Sequence, residues 1–210
     1  MQLLANTTSP FVRIARIALI EKGLNIEPTL VDPWADDPRL RAANGAARVP
    51  TLILDDGTPL TESLLIVQWL EATRPAPEWP SLIGSSPDQV AGVMSRAGIA
   101  LGAIEASVHT IITRKVTAPV LFDETPVGLR RRRTMIEALQ KLETLVPQLG
   151  GEQPGSRAPT LDAIVAVVLF DYQRLRYGDQ AWLPQTPRLQ ALVDALRVRP
   201  SVARTMPYIA

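Results

Sequence analysis

Hydrophobic positions follow one pattern before residue 75 of this chain and another pattern after it. In the first part, short apolar runs alternate with polar turns, which is typical of strands and helices in one small sheet domain. The runs predict four strands, at residues 2–5, 26–31, 51–54 and 58–60. Apolar residues at helical spacing predict a helix from Pro10 to a stop at Gly23, a short helix over 38–43 and a helix over 62–72. The predicted order of elements is therefore βαβ followed by ββα.

Strand patterns are absent from the second part of the sequence. Four prolines in residues 75–87 predict a linker, and apolar residues at three- and four-residue spacing then continue to the end. Helices are predicted at 88–116, at 126–148, at 160–175 after a loop over 150–159, from Pro187, and as a final turn from Pro200. We therefore expect an α/β domain with a mixed four-stranded sheet (1–74), a proline-rich linker (75–87) and an all-helical bundle (88–210).

Composition removes several classes of function. The 22 basic and 21 acidic residues leave a net charge of +1, which favours neither nucleic acid nor an anionic membrane as a partner. The run Arg130–Arg133 lies in a predicted helix, where four successive side chains spread around the circumference and form no single stripe. No apolar run is long enough to span a bilayer and no signal peptide is evident, so a cytoplasmic location is expected.

The sequence contains no cysteine and a single histidine, His109. Disulfides, thiolate metal sites, a thiol nucleophile and a site built from several histidines are therefore impossible, and we expect no metal. Any chemistry of this chain is expected to come from a bound ligand.

Three short motifs in the first part offer polar groups to a small anionic ligand. Ser9 precedes Pro10 at the start of a predicted helix, and Glu62 and Ser63 open another. Helix N-termini carry free N–H groups and the positive end of the dipole, so they attract anions. The Ser9 hydroxyl adds a hydrogen bond that favours the charged form of an incoming thiol.

The third motif is Val49-Pro50, immediately before a predicted strand, and it fits a cis peptide bond. Such a corner leaves the Val49 backbone groups free to pair with a peptide ligand, as an added strand would. Each motif also has a purely structural alternative. Pro50 fits the start of an edge strand, and Ser9 and Glu62-Ser63 fit ordinary helix capping.

The joint spacing of these motifs resembles that of the cytosolic glutathione S-transferase superfamily. The resemblance is carried by TTSPFVRIARIALIEKGLNIE, by RVPTLILDDGTPLTESLLIVQWLE and by the helical tail, and it covers essentially the whole chain. It is strongest to bacterial members of the serine type, which begin with a Ser-Pro-Phe-Val-Arg motif. It implies a thioredoxin-like fold for the first domain, glutathione as co-substrate, and a homodimer.

The resemblance also implies roles for individual residues. Ser9 is expected to hydrogen-bond the glutathione sulfur, with Thr8 as the second candidate. Val49, before cis Pro50, is expected to pair with the cysteinyl backbone, and Glu62 and Ser63 with the γ-glutamyl end. Arg48 takes the place of a basic residue that often faces the glycine carboxylate. Phe11 and Pro50 are also expected to contact glutathione. The expected second-substrate pocket involves Phe11 and Thr8, and His109 and Arg114 of the long helix are further candidates.

The function implied is a glutathione transferase, which ionises the glutathione thiol for attack on an electrophilic, mostly apolar small molecule. The lack of cysteine counts against relatives that form a mixed disulfide with glutathione. Two alternatives stay open. One is an enzyme like maleylacetoacetate isomerase, although Thr7-Thr8-Ser9-Pro10-Phe11 departs from its Ser-Ser-x-Ser-x-Arg loop. The other is a non-enzymatic or regulatory protein that keeps the fold and the ligand.

One detail of the helical domain departs from the family pattern. Relatives often carry Asp three residues after a Ser or Thr that caps the core helix, whereas Asp162 follows Thr160 by two. The reciprocal bond of a capping box is therefore not expected here.

Overall fold

The structure is a computed structural model that describes residues 1–150 and 158–209. Contacts divide these residues into two compact units. The first comprises 1–82, Ala158 and 199–209, and the second comprises 83–150 and 159–198. Most of the predicted loop over 150–159 lies outside the described residues. No helix within the described ranges is long and apolar enough to cross a membrane.

The first unit contains a four-stranded mixed sheet with the strand order β2-β1-β3-β4. Strand β1 runs parallel to β2 and antiparallel to β3, and β3 is antiparallel to β4. The elements in chain order are β1 (Gln2–Ala5), α1 (Pro10–Glu21), β2 (Pro28–Leu30), α2 (Pro38–Ala43), β3 (Thr51–Ile53), β4 (Pro59–Thr61) and α3 (Ser63–Thr73). This is the predicted thioredoxin-like βαβ-ββα arrangement.

Both faces of the sheet are covered. Leu3 and Leu4 point to opposite faces because side chains alternate along a strand, and both are buried. Leu4 packs with Val31 and with Leu40 of α2. Helices α1 and α3 pack against each other, and α1 buries most of its length. Since strand β1 is central and buried, it holds the loop that follows it, residues 6–9, in a defined place.

Two segments that were predicted to lie outside the first domain pack within the first unit. Residues 75–82, part of the predicted linker, are held by Glu71, whose carboxylate accepts the Leu82 N–H at 2.9 Å. The second segment is 199–209, which contains α8 (Pro200–Ala203). Arg199 binds Glu21 of α1 through Nε–Oε1 and Nη2–Oε2 contacts of 3.0 and 2.8 Å. The predicted division at 1–74, 75–87 and 88–210 therefore differs from the contacts at both places.

The second unit is helical over its described residues. It contains α4 (Pro87–Thr117), α5 (Pro126–Leu145), α6 (Leu161–Tyr177), α7 (Pro187–Arg197) and the 3₁₀ turns Phe122–Glu124 and Val146–Gln148. Helix α6 is buried around almost its whole circumference and packs against α4, so it forms the core of this unit. Helix α5 ends three residues before its predicted end, because Pro147 cannot continue the hydrogen-bond ladder.

The arginine run of α5 is divided as its helical spacing predicts. Arg130 and Arg133 are exposed, whereas Arg131 and Arg132 are half-buried. The Arg131 guanidinium lies over the Phe122 ring at 5.2 Å. Two of the four arginines therefore serve packing within this unit.

Candidate functional site

The sheet register brings the three predicted motifs to one edge. Thr51, the first residue of β3, pairs with Leu4 near the carboxyl end of β1 and with Thr61 at the carboxyl end of β4. Opposed Cα atoms in antiparallel strands lie about 5 Å apart, so these three residues span about 10 Å. The segments that leave this edge are the loop before α1, the corner before β3 and the start of α3. They carry Ser9, Val49-Pro50 and Glu62-Ser63.

Ser9 is the N-cap residue of α1. Its Oγ accepts the Val12 N–H at 3.3 Å, and its carbonyl accepts the first helical hydrogen bond, from Arg13. The hydroxyl is half-buried, and its hydrogen meets no acceptor among the described residues. Ser9 is thus both a helix cap and a free hydrogen-bond donor at the positive end of a 12-residue helix.

Thr8, the second candidate for the thiol, differs in this respect. Its hydroxyl donates to Asn6 Oδ1 at 2.9 Å, and its N–H donates to the same oxygen at 3.1 Å. Because its hydrogen is already used within the loop, Thr8 is a poorer donor to a ligand than Ser9.

The Val49-Pro50 peptide bond is cis, as predicted. Val49 lies outside any strand, and neither its N–H nor its carbonyl has a partner in the described part of the chain. Pro50 is buried at the start of β3. The corner therefore presents one unpaired donor and one unpaired acceptor of the main chain.

The sequence predicts that Glu62 is the first residue of a helix. In the structure Glu62 is instead the N-cap of α3, one residue before the helix begins. Its φ of 65° lies in the left-handed region, and its side chain makes no capping bond. The ladder begins with the Ile66 N–H, which donates to the Glu62 carbonyl at 3.1 Å, so the N–H groups of residues 63–65 precede it. Ser63 is buried at the first helical position. This end of α3 can receive an anion.

Arg48 and Glu62 lie close to each other across the edge. Arg48 Nη1 is 3.7 Å from Glu62 Oε1, and both side chains are exposed. An exposed pair of this kind contributes at most about 1 kcal/mol, so either charge is readily available to a ligand.

The geometry of the corner depends on two residues that sequence reasoning missed, Asn44 and Thr51. Both side chains donate to the carbonyl oxygen of Arg48, at 3.0 and 2.9 Å. An Asn-Gly pair, as at 44–45, is a recognised turn signal, but the sequence does not show where the amide reaches.

The remaining predicted site residues lie in different parts of the fold. Phe11 is half-buried in the first turn of α1. His109 and Arg114 lie on α4 in the second unit; His109 is exposed, and Arg114 donates to Asp123 at 2.9 Å. The second-substrate roles of these three residues stay predictions.

A cavity of about 290 Å³ lies beside Asn6 and Thr7 and includes Asp37 and Arg39 in its wall. The Arg39 guanidinium hydrogen-bonds Asp37 and holds the pKa of that carboxyl below its usual value. The Arg39 charge is therefore compensated. Among residues 1–150 and 158–209, no group of three or more potential metal ligands is found.

Comparison with known proteins gives the family of this chain. The family described as glutathione S-transferase, N-terminal domain, matches residues 3–78. A glutathione S-transferase from Methylobacterium radiotolerans, solved in complex with glutathione sulfonate, is 31% identical, with a TM-score of 0.86. That likeness covers 100% of this chain and 95% of the other.

Two further relatives have lower sequence identity to this chain than the Methylobacterium radiotolerans protein, but they also align along most of its length. The uncharacterized GST-like protein YibF of Escherichia coli is 27% identical over 99% of this chain and 98% of its own length. The maleylacetoacetate isomerase of Pseudomonas aeruginosa is 26% identical over 91% of this chain and 89% of its own length. Together with the thioredoxin-like sheet and the helical second unit, these likenesses show that the chain belongs to the glutathione S-transferase superfamily.

Proposed function

We propose that this protein is a glutathione transferase that ionises the thiol of glutathione for attack on an electrophilic, mostly apolar small molecule. The observation that carries the proposal is the uncommitted Ser9 hydroxyl hydrogen, on the same sheet edge as the Val49-Pro50 corner and the start of α3. The complex of the Methylobacterium radiotolerans relative with glutathione sulfonate supports the choice of ligand.

Glutathione matches the edge in size and charge. An extended tripeptide is about 10 Å long, which is the span of the three paired residues. In the proposed complex the cysteinyl backbone pairs with Val49, and the γ-glutamyl carboxylate binds Ser63 and the free N–H groups of α3. Glu62 receives the γ-glutamyl ammonium. The exposed Arg48 side chain leaves its 3.7 Å contact with Glu62 and turns to the other end of the ligand, where it receives the glycine carboxylate. Each charged group of the ligand thereby meets an opposite charge or a helix N-terminus.

The proposed chemistry needs no covalent bond to the protein. The thiol gives its proton to water, and the resulting thiolate accepts the Ser9 O–H hydrogen while it lies at the positive end of α1. Both contacts favour the charged sulfur. The thiolate then attacks the electrophile, a C–S bond forms, and a leaving group departs with its electron pair or the electron pair is taken up by the electrophile.

Two other functions remain for the test to separate. The likeness to a maleylacetoacetate isomerase favours an isomerase on the same glutathione site. A glutathione-binding regulator would keep the same site without turnover.

Calorimetry with glutathione and conjugation of a generic aryl halide test the proposal. Wild type is expected to bind glutathione at millimolar concentration or below and to turn over. Ser9→Ala should retain binding and lose roughly 10- to 100-fold in kcat/KM, because a hydrogen bond to a charged group is worth about 1.5–3 kcal/mol. Thr8→Val is the matched control, since its hydroxyl serves the loop.

The outcomes separate the alternatives. Absence of glutathione binding refutes the transferase. Binding without conjugation favours the regulator, and binding with isomerisation of maleylacetoacetate favours the isomerase.

We further propose a homodimer. Helix α3 leaves Leu64 and Leu65 39% and 53% exposed, which is unusual for adjacent leucines on a helix surface. Light scattering of wild type and Leu65→Glu tests this, and a wild type that is monomeric at micromolar concentration contradicts it.

A further inference from the structure

Asn44 is buried at the C-cap of α2, and two N–H groups of the residues after it donate hydrogen bonds to it. Its main-chain carbonyl accepts the Ala47 N–H at 2.8 Å, and its side-chain Oδ1 accepts the Ala46 N–H at 3.0 Å. Ala47 has a φ of 50°, in a region that residues with a side chain rarely adopt. These bonds therefore hold a loop conformation that the local sequence does not favour by itself.

The two side-chain N–H hydrogens of Asn44 are aimed at the next part of the same loop. Nδ2 lies 3.0 Å from the Arg48 carbonyl oxygen and 3.2 Å from Thr51 Oγ1. The Thr51 hydroxyl in turn donates to the Arg48 carbonyl at 2.9 Å. A carbonyl oxygen has two lone pairs, so this acceptor is fully used. Asn44 and Thr51 are both buried, and the orientation of the peptide between Arg48 and Val49 is thereby fixed.

This peptide is trans, so its carbonyl and its N–H point in opposite directions. Because the Arg48 carbonyl faces Asn44 and Thr51, the Val49 N–H faces away from them. That N–H has no acceptor within the described residues. The same side-chain network that buries the carbonyl thus presents the Val49 donor outward.

We propose that Asn44, with Thr51, is a positioning residue for thiol substrate binding: it aims the Val49 N–H at the backbone of the cysteinyl unit of glutathione. This inference rests on the proposed function. Asn44 touches no reacting atom, and Ser9 and α1 are independent of its bonds. Its loss should therefore weaken the binding of glutathione while the chemistry of the bound thiol stays the same, because the loop must be ordered at the expense of binding free energy.

The test measures kcat and the glutathione KM of Asn44→Ala and Thr51→Val in the conjugation assay, with calorimetric Kd values. Loss of the hydrogen bonds to Arg48 is expected to raise KM and Kd roughly tenfold, with kcat at saturating glutathione within about threefold of wild type. Thr51→Ser keeps the hydroxyl and should restore the wild-type KM. Asn25→Ala, at an exposed asparagine, is the matched control.

A purely structural role predicts a different result. If the role is purely structural, the substitutions lower the melting temperature and the fraction of active protein, and therefore the apparent kcat. The KM of the folded fraction then stays unchanged. That result overturns the proposal. If Asn44→Ala does not fold, the comparison of Thr51→Val with Thr51→Ser decides. A wild type that fails to bind glutathione refutes the proposed function, whereas a wild type that binds, with variants that bind equally well, refutes this inference alone.

Discussion

Arg96 of α4 and Asp162 of α6 form an ion pair within the second unit, with Nε and Oδ2 2.6 Å apart. The Asp162 side chain is fully buried and that of Arg96 is 17% exposed. The other carboxylate oxygen accepts the Ala163 N–H and the Thr160 hydroxyl. Thr160 is the N-cap residue of α6, as its position in the sequence predicts, but its side chain makes no capping bond to the helix. The early acid therefore joins two helices where a capping box is missing.

Asp162→Ala should lower the free energy of unfolding by about 3–5 kcal/mol, because it leaves the Arg96 guanidinium without its buried partner. Urea denaturation measures this change. Asp179→Ala, at an exposed carboxylate, should change stability by less than about 0.5 kcal/mol. A loss below about 1 kcal/mol for Asp162→Ala would mean that the pair contributes little.

The pair between Arg114 and Asp123 predicts a dependence of stability on pH. The hydrogen bond from Arg114 holds the pKa of Asp123 below its usual value of 3.8. A carboxyl with a lower pKa in the folded state stabilises the fold above its unfolded pKa, and this contribution disappears as the pH falls through the folded pKa. The difference in unfolding free energy between wild type and Asp123→Asn should be largest near neutral pH, and should shrink below about pH 4. A difference that is constant across this range refutes the assignment.

Glu62 has a strained backbone conformation, and its carboxylate is a proposed ligand contact. Two substitutions distinguish the effect of the backbone on stability from the effect of the carboxylate on glutathione binding. Glu62→Ala and Glu62→Gly both remove the carboxylate, so both should weaken glutathione binding to the same extent. Glycine tolerates the φ of 65°, whereas alanine does not, so Glu62→Gly should be the more stable by about 1 kcal/mol. Calorimetry and urea denaturation measure the two effects. Wild-type affinity in both variants would remove Glu62 from the proposed site.

Glu71 is expected to stabilise the segment after α3. Its carboxylate lies 2.8 Å from Lys22 Nζ, which is fully buried, and it accepts the Leu82 N–H. Glu71→Gln should cost about 3 kcal/mol, because the buried ammonium loses its counter-charge. The double variant Lys22→Met/Glu71→Leu removes both charges and should recover part of that loss. Thermal unfolding measures all three proteins, and a double variant less stable than Glu71→Gln would contradict this account.

The order of elements in the first unit was predictable because prolines and glycines punctuate short apolar runs. Pro10 and Gly23 bound α1 as expected, and Gly23 has the positive φ of a helix stop. The strand predicted at 26–31 is only Pro28–Leu30, since its edge position leaves one side without a ladder. Boundaries of this kind depend on partners that local patterns do not contain.

The candidate site was predictable only as three separate motifs. Their meeting point depends on the register of Leu4, Thr51 and Thr61, which is a property of the folded sheet. The hydrogen bond between Thr8 and Asn6, which distinguishes Thr8 from Ser9, and the amide network of Asn44 are tertiary contacts that the sequence pattern did not show. Glu62 lies outside α3 because its backbone has a positive φ, which the helix propensity of glutamate does not predict.

The attachment of α8 to α1 has a consequence for biosynthesis. Arg199 and Ser201, which bind Glu21, leave the ribosome after all of the residues assigned to the second unit. During translation the Glu21 carboxylate therefore has neither of these two partners until residues 199–201 have emerged.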